Sequence, residues 1–385
     1  MTFDSLLAAA NPRQLWLEIS PNDQSQAWQH QKSTPSSRWN AYLNHITLNT
    51  FISWLRTEYA PQAKVFPNRT ALASIWEFVN GVAVVWGTTK IVLIPSETID
   101  TAEVRVPQEW IDIPQWTADY YLGVQVNPDD RWMRIWGYTT HQQLKTRGHY
   151  NASDRTYSLD EDELIADINV LWVAQQLGIR EETKSAIAPL SIPQVQVDNL
   201  IQRLGNPEIM TPRLEIPFTL WGAILAHGGW RQRLYERRQG LPDQWSILQW
   251  LRSGISDVAQ QIGWQQVELQ PSLARSRSLE PTPASAVLSR QLAIAGQQYE
   301  LRIIQQDPEQ QWRFELRNTT AGALIPGGFK LRLLTEDLQD FENNEDTATA
   351  AVEQLFVEVA LEPGEGIVWE IEPTPENYER EILRF

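Results

Sequence analysis

The chain has 385 residues, 48 acidic against 32 basic side chains, a net charge of -16 and no cysteine. That length predicts two or three domains of about 100 to 200 residues each, and the missing thiols exclude disulfides, thiolate nucleophiles, iron–sulfur ligation and cysteine-based zinc sites. The charge disfavours nucleic acid and anionic lipid; Met1 to Asn11 lack the basic start of a secretory signal and no window approaches about 18 apolar residues, so a soluble cytoplasmic protein is expected.

The first strong helical pattern runs from Trp39 to Thr57, with Trp39, Tyr42, Leu43, Ile46, Phe51, Trp54 and Leu55 mostly three or four apart and Pro61 closing the segment. Short strand-like runs follow: Ser74 to Val79, Val82 to Trp86 after Asn80-Gly81, and Lys90 to Ile94. Asn-Gly between apolar runs predicts a hairpin. Tyr120 to Val126 and Arg131 to Tyr138 flank Asn127-Pro128-Asp129-Asp130, which predicts a second one. A helix is predicted from Asp160 to Leu177, with Glu163 three residues after the cap and Gly178 at its stop.

Residues 184 to 270 read as mainly helical: Asp198 to Leu204 stopped by Gly205, Phe218 to His227, Trp230 to Gln239 and Gln244 to Ile262. The Pro/Ser/Arg stretch 271 to 285 has linker composition. Seven strand-like runs come next, roughly Leu288 to Ile294, Tyr299 to Gln305, Trp312 to Asn318, Phe329 to Leu334, Glu353 to Ala360, Ile367 to Ile371 and Glu379 to Phe385. Seven short strands in about a hundred residues suggest an immunoglobulin-like sandwich. Residues 271 to 385 hold 20 acidic against 10 basic side chains, so most of the excess negative charge sits there.

The expected fold is therefore α+β. A tryptophan-rich amino-terminal part with antiparallel hairpins (1–183) carries a helical part packed on it (184–270); a linker (271–285) leads to an acidic β-sandwich (286–385).

Several strings resemble one family over nearly the whole chain: VPQEWIDIP from Val106, ADYYLGVQVNPDD from Ala118, RIWGYTTH from Arg134, DRTYSLD from Asp154, HGGWRQRLYERRQG from His227 and IPGGFKLRLL from Ile325. They are similar to the uncharacterised cyanobacterial family catalogued as a domain of unknown function, DUF1822. The resemblance implies a lineage and brings no catalytic residues with it.

Arg231, Arg233, Arg237 and Arg238 put four guanidinium groups in eight residues, with Tyr235 between them. Such a set can grip an anion or stack on a base. Against that, Glu236 dilutes the cluster, and Arg237 and Arg238 suit a helix C-terminus before Gly240. His141, His149, Asp154 and Arg155 form the local group with acid–base potential, although exposed loop polars between a strand pair and a helix are the simpler account of them. The run Glu336, Asp337, Asp340, Glu342, Glu345 and Asp346 lacks the spacing of a calcium loop. Trp110, Trp116, Trp132 and Trp136 lie close in sequence, as binding anchors or as core.

No HExxH, GxSxG, Walker or GxGxxG pattern occurs. The sequence thus points to a non-enzymatic interaction or regulatory protein with a protein partner, no cofactor, no metal, no membrane and no favoured nucleic acid; its oligomeric state is open. The alternative is an enzyme using the histidine group on a phosphorylated or nucleic-acid substrate.

Overall fold

The computed structural model describes residues 11–29, 33–177, 192, 194–241, 245–268, 286–306, 310–336, 338–362 and 365–385. Its fold is mixed α+β, divided into two compact units, Met1–Gly240 and Leu241–Phe385.

The first unit starts with β1 (Leu15–Glu18), α1 (Pro21–Gln29) and α2 (Arg38–Glu58). Then come β2 (Lys64–Phe66), α3 (Leu72–Trp76), β3 (Val82–Trp86), β4 (Thr89–Ser96), β5 (Glu103–Pro107) and α4 (Gln108–Asp112). The predicted second hairpin is β6 (Tyr120–Asn127) with β7 (Trp132–Thr140), followed by α5 (His141–Thr146), β8 (His149–Asn151), β9 (Thr156–Asp160), α6 (Ile168–Gln176), α7 (Gln194–Leu204), α8 (Phe218–Ala226) and α9 (Gly228–Arg238). Six strands form one sheet in the order β1-β7-β6-β4-β3-β2, and β5-β9-β8 form a small antiparallel one. Within the larger sheet β4 and β6 run parallel and every other pair is antiparallel. The central strand β4 is buried from Ile91 to Pro95 without alternation, as a strand covered on both faces must be. Helix α2 packs its stripe of Leu43, Ile46, Phe51 and Leu55 on the sheet at β3 and β4.

The Asn80-Gly81 turn does not join two strands. Leu72–Trp76 is helical, and Asn80-Gly81 lead from α3 into β3 with Gly81 at φ +130°. Side chains satisfy that backbone: Trp76 Nε1 donates to Gly81 O at 3.1 Å, Trp110 Nε1 to Asn80 O at 2.9 Å, and Gly81 N to Asn44 Oδ1 at 2.9 Å. The actual hairpin is β3–β4, turning at Gly87 with φ +59°. The helix predicted over 160–177 also shortens. Glu161–Glu163 make a 3-10 turn, and Ile165 bridges Tyr138 at the end of β7 through two backbone hydrogen bonds of 3.1 and 2.9 Å. Only from Ile168 does the chain become helical; pairing with a free strand edge outweighs helical periodicity there.

The second unit contains α10 (Ile247–Ser253), α11 (Asp257–Gln261) and β10 (Trp264–Glu268). It continues with β11 (Ala286–Ile294), β12 (Gln297–Gln306), β13 (Gln311–Asn318), β14 (Lys330–Thr335), β15 (Glu345–Thr347), β16 (Gln354–Ala360), β17 (Gly366–Glu372) and β18 (Leu383–Arg384). One sheet runs β10-β11-β12-β13-β16 and the other β15-β14-β17-β18. Both contribute to one core, with Leu301, Phe314 and Leu316 from the first and Leu331, Leu333 and Trp369 from the second.

Trp245, Ile247, Trp250, Ala259 and Trp264 join that core, and β10 pairs with β11 along its whole length, so residues 245–268 belong to the β unit. The helix expected over 244–262 is broken at Gly254, whose φ of +92° ends α10. Residues 269–285, which hold the expected linker, and the 183/184 boundary lie outside the described residues. No helix among the described residues is long and apolar enough to cross a membrane.

Candidate functional site

The first unit holds a cleft of about 890 Å3 where the parallel strands β4 and β6 end. Trp39, Asn40 and Leu43, from the first turns of α2, form part of its lining. Ile94, Ser96, Gly123, Gln125 and Trp136 come from the sheet, and Asn80, Glu97, Asp100, Glu103, Arg105 and Asp160 add polar groups. Its volume lies in the ~300–1,000 Å3 range of small-ligand sites.

A β-bulge and an exposed indole shape the cleft. Gly123 pairs with Gly137 and Val124 with Ile135, so Trp136 is the extra residue of a β-bulge. A Cβ on Gly123 would come within 2.7 Å of the Trp136 ring, so glycine is what lets that indole lie against the strand. On the other side Trp39, 42% exposed, donates from Nε1 to Glu97 Oε2 at 3.1 Å.

The polar groups of the lining are unbalanced. Asn80 Nδ2 donates to Pro95 O at 2.9 Å, Gln125 Nε2 to Thr98 O at 3.0 Å, and Arg105 pairs with Glu103 at 2.6 Å and Asp154 at 3.2 Å. Most side-chain nitrogen donors are thereby engaged within the protein; among the described residues the Asn40 amide and the Trp136 indole are left. On the acceptor side Glu97, Asp100 and Asp160 are exposed carboxylates with no ion pair among the described residues, and the buried Asn80 Oδ1 accepts no hydrogen bond from them. The same field reaches Tyr42. Its hydroxyl pKa is raised mainly by burial, with Asp129 and Glu97 adding to the effect against a hydrogen bond with Gln24.

The arginine group named from sequence is not a shared surface. Arg231 is buried on α9 and donates to Ser74 Oγ at 3.1 Å and Leu225 O at 2.8 Å. Arg238 is buried too: it binds Glu77 at 2.9 Å and the carbonyls of Leu204, Asn206 and Ile209 at 3.0–3.1 Å. Arg233 pairs with the half-exposed Asp198 at 3.0 Å, and the Arg237 side chain lies against Gly205. Tyr235 is buried, and that burial pushes its hydroxyl pKa up. These residues knit α9 to α7 and α3.

His141, His149, Asp154 and Arg155 do not converge. His141 is fully buried with Nε2 against Ile111 O at 3.1 Å, whereas His149 is exposed on β8. Asp154 accepts from Thr156 Oγ1 at 2.8 Å, and Arg155, at φ +52°, donates to the carbonyls of Arg213 and Ile216.

Two polar clusters beside α4 had no sequence signal, because their members lie far apart in the chain. Arg213 and Trp221 donate to the buried Glu109. Lys145 donates to Asp112 at 2.9 Å and to the Tyr157 hydroxyl at 2.8 Å, and that hydroxyl donates to Asp112 at 3.0 Å. Burial, the largest influence on Lys145, disfavours its charge, but hydrogen bonds with Tyr157 and Asp112 outweigh it and raise the ammonium pKa. The lysine is thus a held cation.

Of the tryptophans singled out, Trp110 and Trp116 are core, with ring centroids 4.9 Å apart; Trp132 meets Trp16 at 5.0 Å, and Trp136 alone lines the cleft. The acidic run is scattered: Glu336 pairs with Arg384 at 2.6 Å, Asp340 accepts from Asn344, and Asp346 accepts from Phe356 N. Asp337 lies outside the described residues. Among those residues no group of three or more His, Asp or Glu is arranged to hold a metal ion.

A family model described as "Protein of unknown function (DUF1822)" matches residues 17–384. No curated protein and no solved structure matches the chain.

Proposed function

The chain belongs to this family of proteins of unknown function, and we propose that it is a non-enzymatic interaction or regulatory protein whose recognition site is the cleft at the ends of β4 and β6. The observation that supports this reading is the pairing of that cavity with an exposed indole, Trp39, at its wall. Large half-exposed aromatics beside a concavity are what binding anchors require. The histidine set that the enzyme reading would use is dispersed between the core and the surface among the described residues.

We read the second unit as an immunoglobulin-like recognition module. In its support, β12-β13-β16 facing β15-β14-β17-β18 follow the A-B-E over C′-C-F-G order of fibronectin type III sandwiches, with β10 and β11 added at one edge. A cytoplasmic protein of cyanobacterial lineage is part of the proposal, resting on the sequence resemblance and acidic composition.

The test is affinity capture from the native cell with the full chain, beside Trp39→Ala and the cleft-filling Ser96→Trp. Both substituted positions are exposed, so both variants are expected to keep the wild-type melting temperature, which is checked first. Loss of the same partner from both variants supports the cleft; unchanged capture removes it.

A further inference from the structure

We infer that the cleft receives a cationic side chain, arginine or lysine, presented by an extended segment of a protein partner. The inference rests on the cleft being the recognition site and names what it recognises. Its lining carries Glu97, Asp100, Glu103 and Asp160 against the single guanidinium of Arg105, which Glu103 and Asp154 already engage. An anion placed there would meet carboxylates and few free donors. A guanidinium or ammonium would meet the exposed carboxylates of Glu97, Asp100 and Asp160, which make no ion pair among the described residues. The exposed indole of Trp39 adds a ring to which a cation is drawn by the quadrupole.

A peptide fits better than a free amine because a second exposed indole, Trp28, lies beyond the cleft, joined to Trp39 through the buried ring of Tyr42. Trp39 meets Tyr42 at 5.2 Å and Tyr42 meets Trp28 at 5.6 Å, with Trp28 48% exposed. Arg38 stacks over Trp28 at 4.5 Å, so this strip already holds one guanidinium in the geometry proposed for the partner's. Residues flanking the inserted side chain would lie on that strip, and the overall charge of -16 steers basic segments toward the protein.

The experiment is calorimetric titration of the full chain with three probes: a capped five-residue peptide with a central arginine, the same peptide with citrulline, and agmatine. The arginine peptide is expected to bind, more weakly as salt rises, and the uncharged isostere to bind on the order of tenfold more weakly or worse. Glu97→Gln and Asp100→Asn are each expected to weaken the arginine peptide several-fold without moving the melting temperature, since both carboxylates are exposed. Failure of the arginine peptide to bind at millimolar concentration, equal binding of citrulline, or indifference to both substitutions overturns the inference. Agmatine matching the peptide overturns the assignment to a protein segment. If Ser96→Trp abolishes partner capture while Glu97→Gln and Asp100→Asn leave it intact, the cation fails and the cleft stands. If Ser96→Trp leaves capture intact, the cleft itself fails.

Discussion

Arg213 holds the fully buried carboxylate of Glu109 in two nearly parallel bonds, Nε to Oε1 at 2.9 Å and Nη2 to Oε2 at 2.6 Å. Trp221 Nε1 adds a third donor at 2.8 Å, and Arg213 also reaches the carbonyls of Asp154 and Arg155. One ion pair therefore ties α4 to the segment before α8 and to the β8–β9 turn. Arg213→Ala strands a buried carboxylate and is expected to destabilise the first unit by about 3–5 kcal/mol. Pairing Arg213→Ala with Glu109→Gln should recover part of that loss. Urea unfolding of the two variants measures both, and a loss below about 1 kcal/mol for Arg213→Ala would contradict the assignment.

The arginines of α9 should separate sharply by burial. Arg238→Ala leaves Glu77 without its ion-pair partner in the interior, where Thr34 and Ser37 also converge on that carboxylate, and about 3–5 kcal/mol is expected to be lost. Arg233→Ala breaks a pair whose aspartate is half exposed and should stay within about 1 kcal/mol. Thermal melts of the two variants side by side check this contrast, and equal effects would refute it.

Truncation tests where the second unit begins. A fragment 241–385 keeps Trp245, Ile247, Trp250 and Trp264 in the core and β10 on the edge of β11, and it should unfold cooperatively. A fragment 286–385 removes all four side chains and uncovers the β11 edge, so it should melt lower or aggregate. Calorimetry of the two fragments distinguishes them, and equal melting temperatures would place the boundary at the linker.

Acid should weaken this unit through Glu370. Burial is the largest single influence and raises its pKa, but hydrogen bonds from Arg332 at 2.7 Å and Arg380 at 2.8 Å, with their charges, bring it below the ordinary value of 4.5. A carboxylate more acidic when folded than when unfolded contributes stability in full above about pH 4.5, and that contribution is lost as pH falls through the folded value. Glu370→Gln should therefore lower the melting temperature of fragment 241–385 at pH 7 while flattening its decline toward pH 3. Parallel acid limbs in the two proteins would show that Glu370 carries no such linkage.

Sequence patterning was most informative where one local rule governed an element. Helix α2 follows its 3.6-residue stripe, the Asn127-Pro128-Asp129-Asp130 turn joins β6 to β7, and the seven carboxy-terminal runs each contain a strand. It misled where a distant partner decided the outcome: Asn80-Gly81 is held by Trp76, Trp110 and Asn44, and Ile165 by Tyr138 near the end of β7. The cleft was half legible. Trp136 stands out with its neighbours, but Trp39 reads only as one member of the helical pattern over 39–57, and the Gly123 bulge that seats Trp136 has no local signature. The arginine cluster shows the opposite failure, since four charges close in sequence face four different environments once α9 is packed.

The most direct measurement is hydrogen exchange of the full chain with and without its captured partner, followed by mass spectrometry. The account predicts protection concentrated in residues 38–44, 94–105 and 120–136, the segments that supply most of the cleft lining. Protection elsewhere, with those segments exchanging as in the free protein, would contradict it.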